Sequence, residues 1–151
     1  MKKMKSTSGF TLVELIVVIA ILAILAGIAV PAYSGYIKSA NDAAVETQLG
    51  AIKTAAMGAN ATSGEVDKIE VTSATTVKVT STNELATNFD DDFAAFYTDT
   101  TAVTIAADKK SADITINAID NWNDSSYAEA PTDKNAGATW ENGKWSEGVA
   151  K

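Results

Sequence analysis

Residues 10–30 read FTLVELIVVIAILAILAGIAV, an apolar run that Glu14 alone interrupts with a charge. Such a run has neither the alternation of a half-buried strand nor the one-sided stripe of a surface helix. Built as a helix, it would span roughly 31 Å, about the hydrocarbon thickness of a bilayer. Beyond it the pattern changes instead of stopping. Tyr33, Tyr36, Ile37, Ala40, Ala44, Val45, Leu49, Ile52 and Ala56 recur at three- and four-residue steps, with Lys38, Asp42, Glu46 and Lys53 on other faces. That is the period of an amphipathic helix continuing directly from the apolar one. Gly58 and the stretch 60–64 are its expected end. One helix from Phe10 to about Met57 would be roughly 72 Å long. A small head cannot cover that length, so the first half must be buried in something else.

From residue 61 onward the period shortens to two. Strands are expected at Val66–Val71 and Thr75–Thr80, and a hairpin is expected to join Ala102–Ala107 to Asp113–Ala118 around Asp108-Lys109-Lys110-Ser111. In that hairpin Val103, Ile105, Ile114, Ile116 and Ala118 alternate with polar residues, as one buried face requires. A short helix is expected to carry Phe93, Phe96 and Tyr97 on one side. Near the C-terminus, Trp140-Glu141-Asn142-Gly143-Lys144-Trp145 contains Asn-Gly, the strongest short signal for a two-residue hairpin turn. It would set Glu141 opposite Lys144 and Trp140 opposite Trp145. The fold class is therefore α+β: a long N-terminal α-helix, half transmembrane and half amphipathic, packed against an antiparallel β-sheet head.

Composition narrows the chemistry. Within 151 residues there is no histidine, no cysteine and no arginine. That removes the usual general base, thiol chemistry, histidine-ligated zinc, any disulfide and any guanidinium fork. Net charge is −7, and residues 61–151 hold 16 of the 19 acids against seven lysines. A duplex-binding face would need clustered cations, so no nucleic-acid partner is expected. Scattered carboxylates without a nucleophile or base read as a solvated acidic surface, so no enzyme, catalytic residue or cofactor is expected. Two weak calcium candidates stand out by their oxygen ligands: Asp90-Asp91-Asp92, which also suit a helix N-terminus, and the loop of Asp120, Asn121, Asn123 and Asp124. The loop lacks the spacing and glycine of an EF-hand. Asn60-Ala61-Thr62 and Asn123-Asp124-Ser125 match glycosylation sequons, a short pattern that arises by chance.

The N-terminus is more specific. Lys2, Lys3 and Lys5 precede the apolar run and no lysine follows it closely, which predicts an N-in, C-out orientation. A conventional signal peptide cut near Val30-Pro31-Ala32 would fit the run but not Glu14, whose carboxylate costs on the order of 3 kcal/mol at mid-bilayer. Nor would it fit the helix pattern that continues past the cut.

Gly9-Phe10-Thr11-Leu12-Val13-Glu14, after a short basic leader and before an apolar run ending at Pro31, resembles the N-terminus of type IV prepilins. The resemblance covers the first third of the chain; beyond Asn60 it is one of layout only. It implies a leader, residues 1–9, cut between Gly9 and Phe10 by prepilin peptidase, with methylation of the new Phe10 amine. It also implies a transmembrane and polymerisation helix at 10–31, its amphipathic continuation at 32–60 and a β-rich head at 61–151. The subunit would sit in the cytoplasmic membrane and then enter an extracellular pilus, a helical polymer of itself, with an assembly platform protein and ATPase as partners. In that scheme Glu14 meets the Phe10 amine of a neighbouring subunit; pairing with its own Phe10 amine is the local alternative. Gly27 and Pro31 mark a kink or a segment that melts when a filament stretches, or else a static bend at the membrane exit.

Many members of that family staple the C-terminal region with a disulfide. This chain, suited to a Gram-positive-like envelope without disulfide chemistry, cannot. The Trp140–Trp145 pair is a candidate substitute, with carbohydrate stacking as the other role open to these rings. Two further readings share the N-terminal features or mimic them: a pseudopilin of a secretion or DNA-uptake machine, and a secreted or membrane-anchored binding module.

Overall fold

A computed structural model describes residues 9–128 and 135–149. The chain divides into two compact units, one ending at Ile37 and one beginning at Lys38. Helix α1, Leu12–Ala59, runs through both. It begins two residues later than the apolar pattern suggests, because Phe10 and Thr11 lie outside the helix.

In the first unit every large apolar side chain from Phe10 to Ile37 is at least 46% exposed. Nothing within that unit covers them. This is the one helix among the described residues that is long and apolar enough to cross a membrane.

In the second unit α1 buries a single stripe: Val45, Leu49, Ile52, Ala55, Ala56 and Ala59. The expected stripe was longer. Tyr33, Tyr36, Ile37 and Ala40 are exposed. The stripe lies on a sheet of six strands in the order β3-β4-β2-β1-β5-β6, every neighbour antiparallel. The strands are β1 Lys68–Ser73, β2 Thr76–Thr80, β3 Thr100–Ile105, β4 Ser111–Ile116, β5 Asn135–Glu141 and β6 Lys144–Val149. Ile69, Val71, Val77, Val79, Ala112, Ile114, Ile116, Ala138 and Trp140 point to the helix side and are buried. Lys78, Asp113 and Thr115 alternate with them and are exposed, the period-two pattern of a sheet covered on one face.

Three expectations need correction. The β3–β4 hairpin starts two residues early on both strands, because the turn is closed by Ala106 N–H donating to Ser111 O at 2.8 Å and Lys109 N–H to Ala106 O at 2.9 Å. Beyond Ile116 the chain leaves β3: Asn117 N–H bonds Asp99 O, Ile119 N–H bonds Ala74 O, and Ala118 is exposed. Ala112 therefore joins the buried face in place of Ala118. Likewise β1 begins at Lys68, not Val66. In the short helix α2, Phe89–Phe96, the buried side is Phe89, Phe93 and the following Tyr97, while Phe96 is 64% exposed. Steps of four residues put those three rings on one face, with Phe89 and Phe93 centroids 5.9 Å apart and Phe93 and Tyr97 6.2 Å apart.

The Asn60 sequon is also resolved by packing. The side chain is fully buried; its Oδ1 accepts from Ala86 N–H at 2.9 Å and its Nδ2 donates to Gly64 O at 3.3 Å. A glycan would need that same nitrogen. We expect Asn60→Ala to leave the Ala86 amide unpaired and to cost about 1–3 kcal/mol of head stability, measured by urea unfolding of the full chain in detergent.

Candidate functional site

At the start of α1, Thr11 is the N-cap and Glu14 the third helical residue. The Thr11 N–H donates to Glu14 Oε2 at 2.9 Å, the Thr11 hydroxyl donates to the same oxygen at 2.9 Å, and Glu14 N–H donates to Thr11 Oγ1 at 3.2 Å. This is a reciprocal capping box, which satisfies two of the amides that every helix start leaves orphaned. The carboxylate also sits where the helix dipole favours negative charge. Thr11 was not among the expected site residues. The signal for it is Thr-x-x-Glu ahead of an apolar run.

Gly9 and Phe10 precede the box, exposed and outside regular secondary structure; Phe10 is 86% exposed. The peptide between them is thus held out of the helix. Further along, α1 is helical through both Gly27 and Pro31. Pro31 has no N–H to offer the Gly27 carbonyl, which leaves that carbonyl without its usual partner. The Ser34 hydroxyl bonds back to Pro31 O at 2.9 Å. A melted segment is therefore not what the single chain adopts, because one missing bond in a long apolar helix is not enough to break it.

In the head, the Asn-Gly hairpin pairs Glu141 with Lys144 and Trp140 with Trp145. Asn142 and Gly143 take φ of 52° and 81°, the left-handed pair that a type I′ turn demands. Trp140 is only 8% exposed, with Lys53 Nζ 5.8 Å from its ring centre. Trp122 is 5% exposed. Of the hairpin pair, Trp140 offers no free face for a sugar to stack on, while Trp145 is partly buried against the core.

The loop of Asp120, Asn121, Asn123 and Asp124 spends its backbone on α1. Gln48 accepts from Asp120 N–H at 3.1 Å and donates to Asp120 O at 3.3 Å, and Asn41 donates to Asp124 O at 3.3 Å. Just beyond, Asp42 accepts from Ser126 N–H at 2.7 Å and its hydroxyl at 2.9 Å, and Glu46 accepts from the Tyr127 hydroxyl at 3.1 Å. Asn121 holds a φ of 60° ahead of a single 3₁₀ turn, and Trp122 stacks on Tyr127 at 6.2 Å. Among the described residues no three carboxylates converge on one point. Without cysteines, this polar seam of Asn41, Asp42, Glu46 and Gln48, not the tryptophan pair alone, fastens the C-terminal loop to the helix.

The seam carries a pH dependence. Burial and the neighbouring Glu46 push the Tyr127 phenol well above its ordinary pKa, and burial with Asp99 and Asp120 raises Tyr97. A raised folded-state pKa stabilises while the phenol is neutral, so this contribution is whole below about pH 10 and is lost as pH climbs through the raised values. We expect the unfolding midpoint of the head to fall above pH 10, and Tyr127→Phe to make that fall shallower while costing stability at neutral pH.

Residues 4–30 match the family model described as the prokaryotic N-terminal methylation motif. That match covers the cap, the Gly9-Phe10 pair and the apolar half of α1, and it is the type IV prepilin leader signature. Neither the curated proteins nor the solved structures contain a match to the chain.

Proposed function

We propose that the chain is the major subunit of a type IV pilus, a structural protein and not a catalyst. Prepilin peptidase cuts between Gly9 and Phe10 and the new Phe10 amine is methylated. The subunit waits in the cytoplasmic membrane with its head outside, and is drawn into a surface filament by a platform protein and ATPase. The filament serves adhesion and twitching motility. The observation that carries this reading is the methylation motif at residues 4–30 sitting on a helix whose apolar surface is exposed on all sides.

Glu14 supports it physically. In the single chain its carboxylate is held by Thr11; in a filament core of many such helices it would be buried, and an unpaired buried charge is expensive. The cationic Phe10 amine of a neighbour neutralises it and sets the stagger between subunits. Gly27–Pro31, where the helix lacks one backbone bond, is where tension would unwind it first.

The test is the intact mass and N-terminal residue of the protein from its native host. A start at Phe10 heavier by about 14 Da, one methyl, supports the reading; a start at Ala32 or Tyr33, or an uncut Met1, sinks it. Electron microscopy then separates long surface filaments from the short assemblies of a pseudopilin.

A further inference from the structure

Two large apolar side chains are left exposed among the described residues of the second unit, Phe96 at 64% and Met57 at 37%. They belong to different features. Phe96 stands at the end of α2, which packs against β3 at one end of the sheet. One edge of its ring rests on α1 at Gly58, where a Cβ would come within 3.1 Å of it. The rest of the ring points into solvent. Met57 lines a concavity of about 540 Å³, together with Ala61, Glu65, Val66, Trp140 and Gly143. That concavity opens beside the β5–β6 turn, toward the other end of the sheet. An aromatic knob and an apolar socket thus lie on opposite flanks of the same helix end.

We infer that neighbouring copies in the filament dock their heads heterologously, Phe96 of one copy entering the socket beside Met57 and Trp140 of the next. This rests on the filament reading. A knob and a socket at different places on one molecule can pair reciprocally in a two-fold dimer or propagate from copy to copy, and the open helical polymer of the filament reading selects the second. The flanking charges agree with that pairing. The knob is bordered by Asp90, Asp91, Asp92 and Asp99, without a lysine in that stretch, whereas at the socket Lys53 over the Trp140 ring and Lys144 next to Gly143 offset Glu65 in the lining and Glu141 opposite Lys144, so the knob's acids meet a surface close to neutral. In a strongly acidic head this is where like charges of adjacent copies would otherwise oppose contact. The socket is also continuous with α1, the helix that polymerises, so core and surface contacts would share one element. A small polar ligand is the poorer occupant, because Trp140 is only 8% exposed and Glu65 is the single charge in the lining.

The cysteine-free chain allows a clean test. Ala61, on the socket rim, and Ala95, beside the knob, are both exposed. Chains carrying Ala61→Cys and chains carrying Ala95→Cys are co-expressed in the native host, and the filaments are sheared off and oxidised. A disulfide requires Cα atoms within about 7 Å, so it reports direct docking. We expect heterodimers of the two variants, none from filaments of either variant alone, and an at least tenfold lower heterodimer yield when Phe96→Ala is added to the Ala95→Cys chain, as for a central aromatic anchor. Filaments that form without heterodimers, cross-links between two copies of the same variant, or heterodimers indifferent to Phe96→Ala would each overturn the inference. Absence of filaments from the parent chain would instead overturn the pilus reading, and this inference with it.

Discussion

Glu14→Gln and Glu14→Ala are each expected to be cut before Phe10 like the parent chain and to give at least tenfold fewer filaments. The pair of variants separates the two roles the structure allows. Glutamine at the third helical position still accepts from the Thr11 N–H, so the capping box survives in Glu14→Gln and only the charge is lost. Alanine removes both, and the cap itself is worth only about 1 kcal/mol. Breaking a buried charge pair by deleting one partner costs about 3–5 kcal/mol, several times the cap. If the carboxylate neutralises a neighbour's Phe10 amine, the two variants should fail alike. If Glu14→Gln assembles normally while Glu14→Ala does not, capping is the role and the charge-pairing account is wrong. Filament yield by shearing and microscopy, with N-terminal mass to confirm processing, reads both outcomes.

Phe93→Ala is expected to destabilise the head by about 3–5 kcal/mol, and Phe96→Ala by less than about 1 kcal/mol. Phe93 is fully buried between Phe89 and Tyr97, so truncation opens a cavity in the core. Phe96 is 64% exposed and loses mainly its contact with Gly58. Urea unfolding of the full chain in detergent, followed by tryptophan fluorescence, measures the difference. Equal losses would mean that α2 is rotated relative to the packing described. The contrast also protects the docking test, because Phe96→Ala should weaken contact between copies without unfolding either.

How far the sequence reading reached depended on the range of the forces involved. The apolar run, the Asn142-Gly143 turn and the alternating strands were all legible. A helix period, a positive-φ requirement and a one-faced strand are properties of a few consecutive residues. The capping box is equally local, since Thr11 and Glu14 lie three apart, whereas a partner for the Glu14 charge on another subunit is not a property of consecutive residues. Strand ends were misplaced by two residues because a hydrogen bond from Ala106 to Ser111, not hydropathy, closes the β3–β4 turn.

By itself the sequence determined that this chain has a membrane-length N-terminal helix with a prepilin leader signature, and a one-faced antiparallel head that no disulfide can staple. Those follow from hydropathy, local period and residue chemistry. Only the tertiary structure decided that α1 starts to be buried at Val45 and not at Tyr33, that Asn60 is a core hydrogen-bonding residue and not an accessible sequon, and that Phe96 faces out. It alone showed Asn41, Asp42, Glu46 and Gln48 holding residues 120–127 by bonds spanning 72 to 84 positions. The reason is common to all of them. Each depends on which distant segment packs alongside, and helical or strand periodicity offers several faces without saying which one the rest of the chain will cover.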